Sequence, residues 1–315
     1  MDKIAVLLAL TVFEAAAQSS NFASVGYAAG GAAYLQLPVT AQAASLCGAA
    51  TAWRDNLVGT EYNPAIYDGL TEGSYFLSGT YSLMTLDRRH IGVDAAASVG
   101  SYLVVGLSFI NAGVNAIPQT NDVGDSLGTF NYNENAVAVS VAGRLLWHIS
   151  LGATLRYLNE GMLNGNANGL GADVGATWQP VDFLCVGVSV QNIGGTLWWN
   201  TGHSDPVLTT FRAGIEASFL KNSLRAELDM LKPLQQPEEA ALGLQYTLFN
   251  IVSVRGGMSL DIDAASMHSS YPDYGVGVGV HYSFFGFDYG LWIPDSDLGL
   301  THKFTISFLL GNPFN

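Results

Sequence analysis

The sequence predicts an all-β protein: a transmembrane antiparallel β-barrel of about 14 strands with a plug-like segment on its N-terminal side. Three observations predict it. First, the chain alternates between two faces, as in its last stretch, where Leu300, His302, Phe304, Ile306, Phe308 and Leu310 share one parity. Thr301, Lys303, Thr305, Ser307 and Leu309 share the other, and a side-chain period of two is the mark of a strand. Second, only 12% of the 315 residues are charged, about half the ~25% of a soluble domain. No apolar run of about 18 residues follows the N-terminus, so a spanning helix is unavailable and strands must do the crossing. Third, the connections alternate between tight turns and long loops, the rim asymmetry of outer-membrane barrels.

Taken in order, residues 1–17 read as a secretory signal peptide: Lys3, an apolar core from Ile4 to Phe13, then Ala15-Ala16-Ala17 before Gln18. Residues 18–73 lack sustained alternation and are rich in Ala and Gly, with a short helix expected within 41–52 and a stop at Asn63-Pro64. This stretch is long enough to sit in or beneath a wide barrel as a plug, with Pro38, Gly48, Asn63 and Pro64 as candidate plug residues. The bland alternative is a loose periplasmic leader. The barrel is expected over residues 74–315, with strands near 74–85, 90–99, 102–111, 134–143, 148–158, 169–178, 184–193, 209–219, 222–231, 239–248, 251–260, 274–283, 285–293 and 299–310.

Tight turns are expected near Gly100, Leu145, Val181, Leu220, Asn250 and Phe284, and long loops over Ala112–Asn133, Asn159–Asn168, Gly194–Leu208 and Asp261–Asp273. Trp147, Trp178, Phe183, Phe219, Phe249, Phe284 and Phe285 flank the tight turns, as an interfacial aromatic girdle would. One parity repeats Val137/Val139/Val141 and Val276/Val278/Val280, while the opposite parity is small and poor in charge. A soluble exterior needs charge, so the apolar parity is assigned to lipid. Asp94, Asp173, Arg212, Glu216, Arg225, Glu227, Asp229, Arg255 and Lys303 then fall in the lumen, since on the lipid side an Arg or Lys at mid-membrane costs about 2–4 kcal/mol.

Little in the chain speaks for catalysis, and no cofactor or metal is expected. His203-Ser204-Asp205 lists hydrolase residue types, but sequence neighbours do not converge as a triad must. The formal net charge of -14 opposes a nucleic-acid partner, which calls for a basic footprint. Trp198-Trp199, expected in an outer loop, either lie in the headgroup layer or anchor a partner or apolar ligand. For Cys47 and Cys185 two readings stand: a disulfide tying plug to wall near the periplasmic rim, or two small buried apolar side chains.

The order of Ala33-Tyr34-Leu35-Gln36-Leu37-Pro38, Gly48-Ala49-Ala50-Thr51-Ala52, Asn63-Pro64-Ala65, Thr210-Phe211-Arg212-Ala213-Gly214, Val254-Arg255-Gly256-Gly257 and the closing Leu298–Phe304 resembles the PorV/PorQ family, a branch of the FadL-like outer-membrane barrels. The resemblance implies a non-enzymatic accessory of type IX protein secretion and surface attachment, with translocon components or secreted cargo as partners. FadL-like relatives pass hydrophobic molecules through the barrel wall past an N-terminal plug, so the alternative implied is a passive channel for small hydrophobic molecules. Either role places the chain in the outer membrane of a Gram-negative bacterium, with outer-membrane lipid around it.

Overall fold

The computed structural model describes residues 30–262, 272–294 and 299–311. The expected signal peptide, 1–17, and residues 18–29 of the expected plug lie outside the described residues. Among those described, the strands are β1 Tyr75–Met84, β2 Arg88–Val99, β3 Leu103–Thr120, β4 Ser126–Arg144 and β5 Ile149–Met162. They continue as β6 Gly165–Val181, β7 Leu184–Trp199, β8 Ser204–Pro206, β9 Thr210–Phe219 and β10 Leu224–Pro233. The last five are β11 Glu239–Leu248, β12 Val252–Asp261, β13 Asp273–Tyr282, β14 Phe285–Ile293 and β15 Thr301–Leu310.

Fourteen of these close an antiparallel barrel. Each pairs with its neighbour in sequence, β7 pairs β9, and β1 pairs β15 from Tyr75↔Leu310 to Met84↔Thr301. The three-residue β8 is a flap on the outer end of β7, set against Thr196–Trp198. Closure leaves no strand edge for lipid to desolvate, which is what a spanning sheet requires.

The faces follow the parity. Val137, Val139, Val141, Leu151, Leu155, Val276, Val278, Val280 and Ile306 are exposed, whereas Ser140, Thr154, Asp173, Arg212, Glu227, Arg255 and Lys303 are buried inside. Among the described residues no helix is long and apolar enough to cross a membrane, so the exposed apolar belt marks where strands cross. Trp147, Phe183, Phe219, Phe249 and Phe284 stand exposed beside the tight turns, forming a ring at one rim.

Three expected loops are wholly or largely strand, among them Gly194–Leu208 through the end of β7 and through β8. Most of the expected loop Asp261–Asp273 lies outside the described residues. β3 and β4 run 18 and 19 residues, well beyond the ~9–11 a tilted strand needs to span, and most of 112–133 is the protruding part of that hairpin. β5–β6 likewise continues through 159–168 to a turn at Leu163-Asn164. Beyond the membrane both faces of a ribbon are wet, so pairing persists while hydrophobic alternation ends.

Candidate functional site

The lumen is filled by the chain's own residues 30–73. They form 3₁₀ turns at Ala33–Gln36, Asp55–Glu61 and Pro64–Gly69, plus one short helix, α1, at Ala41–Ser45. Thr40 caps α1 through its side-chain oxygen, which accepts the Ala43 N–H at 3.1 Å. All five α1 residues are buried. The stretch is mostly Ala and Gly because its backbone packs directly on the wall. An added Cβ at Gly290 would lie 2.2 Å from the Ala41 carbonyl oxygen, and one at Gly275 would lie 2.4 Å from that of Ala44. Gly275 and Gly277 of β13 and Gly290 of β14 therefore seat α1.

Carboxylates from the wall hold this inner segment. Asp229, fully buried, accepts the Ala50 and Thr51 N–H groups at 3.1 Å each and the Thr51 hydroxyl at 2.6 Å. Glu227 accepts the Ala52 N–H at 2.6 Å. Asp288 accepts Gln42 Nε2 at 2.5 Å and pairs with Arg255 at 2.6 Å. Asp68, inside the segment, pairs with Arg54 at 2.9 Å and Arg144 at 3.2 Å. Arg212 pairs with Asp229 at 3.4 Å, donates to the Gly48 carbonyl at 2.6 Å, and lies 4.1 Å over the Tyr62 ring. Asn63 caps the third turn through the Ala65 N–H and donates to the Ala176 carbonyl at 3.1 Å, with Pro64 buried at the turn's first position. Buried charges are tolerated when they are paired or hydrogen-bonded. Here the Arg144–Asp68 pair and the hydrogen bonds of Asp229, Glu227, Asp288 and Arg212 cross from wall to segment.

The residues singled out from sequence thus separate. Gly48, Asn63, Arg212, Glu227 and Arg255 meet at this wall-to-segment interface. Arg225 and Glu216 pair with each other at 3.4 Å near the tight-turn rim. Pro38 lies between Leu37 and the buried Val39, which borders the upper cavity described below. Trp198 and Trp199 are the end of β7, not a loop, so they face opposite ways. Trp198 is exposed, while the half-buried Trp199 packs on the cluster around Leu197 and donates to Asp205 at 2.6 Å.

Cys47 and Cys185 are both free, so the expected disulfide is not formed. Cys47 contacts the Asp273 carbonyl at 3.8 Å, at the long-loop end of β13, whereas Cys185 is one residue from the tight turn preceding β7. Burial pushes the Cys47 thiol up to about 12, leaving a small apolar filler. Asp288, Asp68 and Gln42 were missed in the sequence. A lone carboxylate on the inward parity of an aromatic strand, as in Phe287-Asp288-Tyr289, was the available signal for the first.

Among the described residues two cavities beside the segment share no lining residue. The upper one, about 120 Å³, lies between the segment and the wall. Val39, Tyr62, Tyr67, Ile110 and Leu231 line it together with Thr60, Glu61, Asp94, Arg156 and Arg212. The lower one, about 400 Å³, lies toward the tight turns between Arg54, Leu70, Phe76, Arg225, His281 and Phe285. Beside the upper cavity the wall is irregular. Two register shifts separate β6 and β7 around Ala172, and the Asp173 carboxylate replaces a ladder acceptor for the Asn192 N–H at 2.7 Å.

Glu61 borders the upper cavity and accepts the Val39 N–H at 3.0 Å. Burial, with Asp94 nearby, pushes its carboxyl up from 4.5 to about 8. The seated segment therefore binds a proton between these values that the released segment does not. Its hold is full below pH 4.5, weakens as pH rises, and is lost in this part above about 8. Limited proteolysis of residues 30–73 from pH 5 to 9 should show cleavage rising with pH, and Glu61→Gln should flatten that rise.

Fold and lumen together define a class: a membrane-spanning β-barrel closed by an inner segment of its own chain. Comparison with solved structures agrees. The CymD monoaromatic hydrocarbon channel superposes with a TM-score of 0.60 at 13% identity, over 88% of this chain and 98% of that one. The toluene transporter TbuX of Ralstonia pickettii gives 0.58 at 13% identity, over 88% and 99%. A Pseudomonas aeruginosa FadL homologue gives 0.58 at 10% identity, over 88% and 99%. At such identities the likeness establishes a FadL-like barrel fold and nothing finer. No protein-family profile and no curated protein matches the sequence.

Proposed function

We propose that this chain is a non-enzymatic outer-membrane channel through which small hydrophobic molecules pass passively. The observation that carries the reading is the upper cavity, enclosed between plug and wall at about 120 Å³. Cavities near 150 Å³ admit a benzene-sized molecule, so the pocket suits one small ring and excludes a long folded chain. Its apolar lining residues, Val39, Ile110 and Leu231, offer dispersion contacts to such a guest, and Tyr62 and Tyr67 offer ring faces. That two of these structural neighbours are a monoaromatic hydrocarbon channel and a toluene transporter supports the same substrate class. The secretion-accessory role implied by the PorV/PorQ resemblance has no counterpart among these neighbours and rests on the resemblance alone.

The test is toluene entry into proteoliposomes bearing the full chain, read by a trapped solvatochromic dye. Ser108 lines the cavity on β3, and Ser108→Trp should fill it and cut entry at least about tenfold while leaving barrel mobility on gels unchanged. Equal entry through the parent, the variant and protein-free liposomes would sink the proposal.

A further inference from the structure

Above the apolar belt, the outward face of β2–β6 changes character along one register row. Ile91, Asn111, Asn135, Asn159 and Asn168 are successive cross-strand partners, and Trp198 on β7 ends the row. One step toward the tight turns, the same strands present Val93, Phe109, Val137, Tyr157 and Leu170, all exposed. One step away, Arg89 faces Gly113, Asn133, Gly161 and Asn166 in turn. A row of four asparagines in register, directly above acyl-facing side chains, sits where headgroups begin.

Within it the amides are tied into an array. Asn111 Nδ2 donates to Asn135 Oδ1 at 2.8 Å, Asn159 Nδ2 donates to Asn168 Oδ1 at 3.1 Å, and the Tyr157 hydroxyl donates to Asn168 Oδ1 at 2.5 Å. Arg89 donates through Nε to Asn111 Oδ1 at 3.0 Å, through one terminal nitrogen to Asn115 Oδ1 at 2.7 Å, and through the other to Asn133 Oδ1. Every one of those acceptors is neutral. Among the described residues no carboxylate pairs with this guanidinium, which is held in place by amides in a chain with a formal net charge of -14 and only 12 Lys and Arg.

We infer that this face binds the phosphorylated saccharide headgroup of an outer-leaflet glycolipid. A ligand here must be amphipathic, because the apolar belt adjoins the row without a gap. Its polar end must bring an anion for Arg89, which suits phosphate through its fork of N–H groups. Hydroxyl-rich chemistry matches the amides, which act as donors and acceptors at once. Trp198 closes the row as an interfacial ring. The inference concerns the outer surface and stands independently of what the lumen conducts.

The experiment uses the full-length folded barrel in detergent, titrated with diphosphoryl lipid A and followed by native mass spectrometry and Trp fluorescence. The parent is expected to retain lipid A. Arg89→Gln should weaken binding about tenfold or more, as loss of a charge-assisted contact does, and Arg89→Lys should restore only part of it. Asn135→Leu should also weaken it, whereas Lys221→Gln, at the β9–β10 tight turn, should change nothing. Heat-modifiable gel mobility shows that each variant is folded. Unaltered affinity in Arg89→Gln, or equal binding of dephosphorylated lipid A, would overturn the inference. Equal binding of phosphatidylglycerol, which has phosphate but no sugar, would overturn it too.

Discussion

Asp229→Leu is expected to release the inner segment from the wall while the barrel stays closed. The substitution removes the acceptor for the Ala50 and Thr51 N–H groups and for the Thr51 hydroxyl, and it takes the ion-pair partner from Arg212. A charge left buried without its partner costs about 3–5 kcal/mol, and each orphaned N–H adds about 1–3 kcal/mol. Those penalties fall on the interface between segment and wall, because the strand ladders on either side of β10 do not involve the side chain. Planar-bilayer recordings should show the closed parent replaced by a conducting pore. Limited proteolysis should cut within residues 30–73 while heat-modifiable mobility persists. A variant whose segment stays protected would show that the anchor lies elsewhere.

Gly290→Val is expected to act at the other end of the segment by sterics. Even one added carbon there would sit 2.2 Å from the Ala41 carbonyl oxygen, so α1 must back away from β14. Moving it strains the Gln42–Asp288 contact and, through Asp288, the pairing of Arg255. Overpacking of this kind typically costs about 1–3 kcal/mol, so raised proteolysis and raised leak are anticipated, smaller than for Asp229→Leu. Gly79→Ala is the matched control: Gly79 is exposed with nothing near its missing Cβ, and no change is expected.

The barrel was legible in the sequence because a membrane imposes two environments on alternate residues, and Val276-Gly277-Val278-Gly279-Val280 records both. The same logic failed past the membrane. Asn115, Asn131 and Asn133 read as loop chemistry, yet they belong to a paired ribbon whose two sides are equally wet. The inner segment was visible as a break in alternation, but its contacts were not. Nothing local in Thr51 or Gln42 announces partners 178 and 246 residues away. The glycines of β13 carry no sign of what they face, since a missing side chain looks the same beside water or another backbone. Spacing alone could not tell that Cys47 and Cys185 sit toward opposite ends of the barrel.

The seam between β1 and β15 joins Met84 to Thr301, and everything inside precedes that seam in the chain. The filler is therefore synthesised first, yet it can be enclosed only when the final strand arrives. The simplest order of assembly gathers the sheet around a filler already in position. Losing β15, Thr301–Leu310, would accordingly forfeit closure and retention in one stroke.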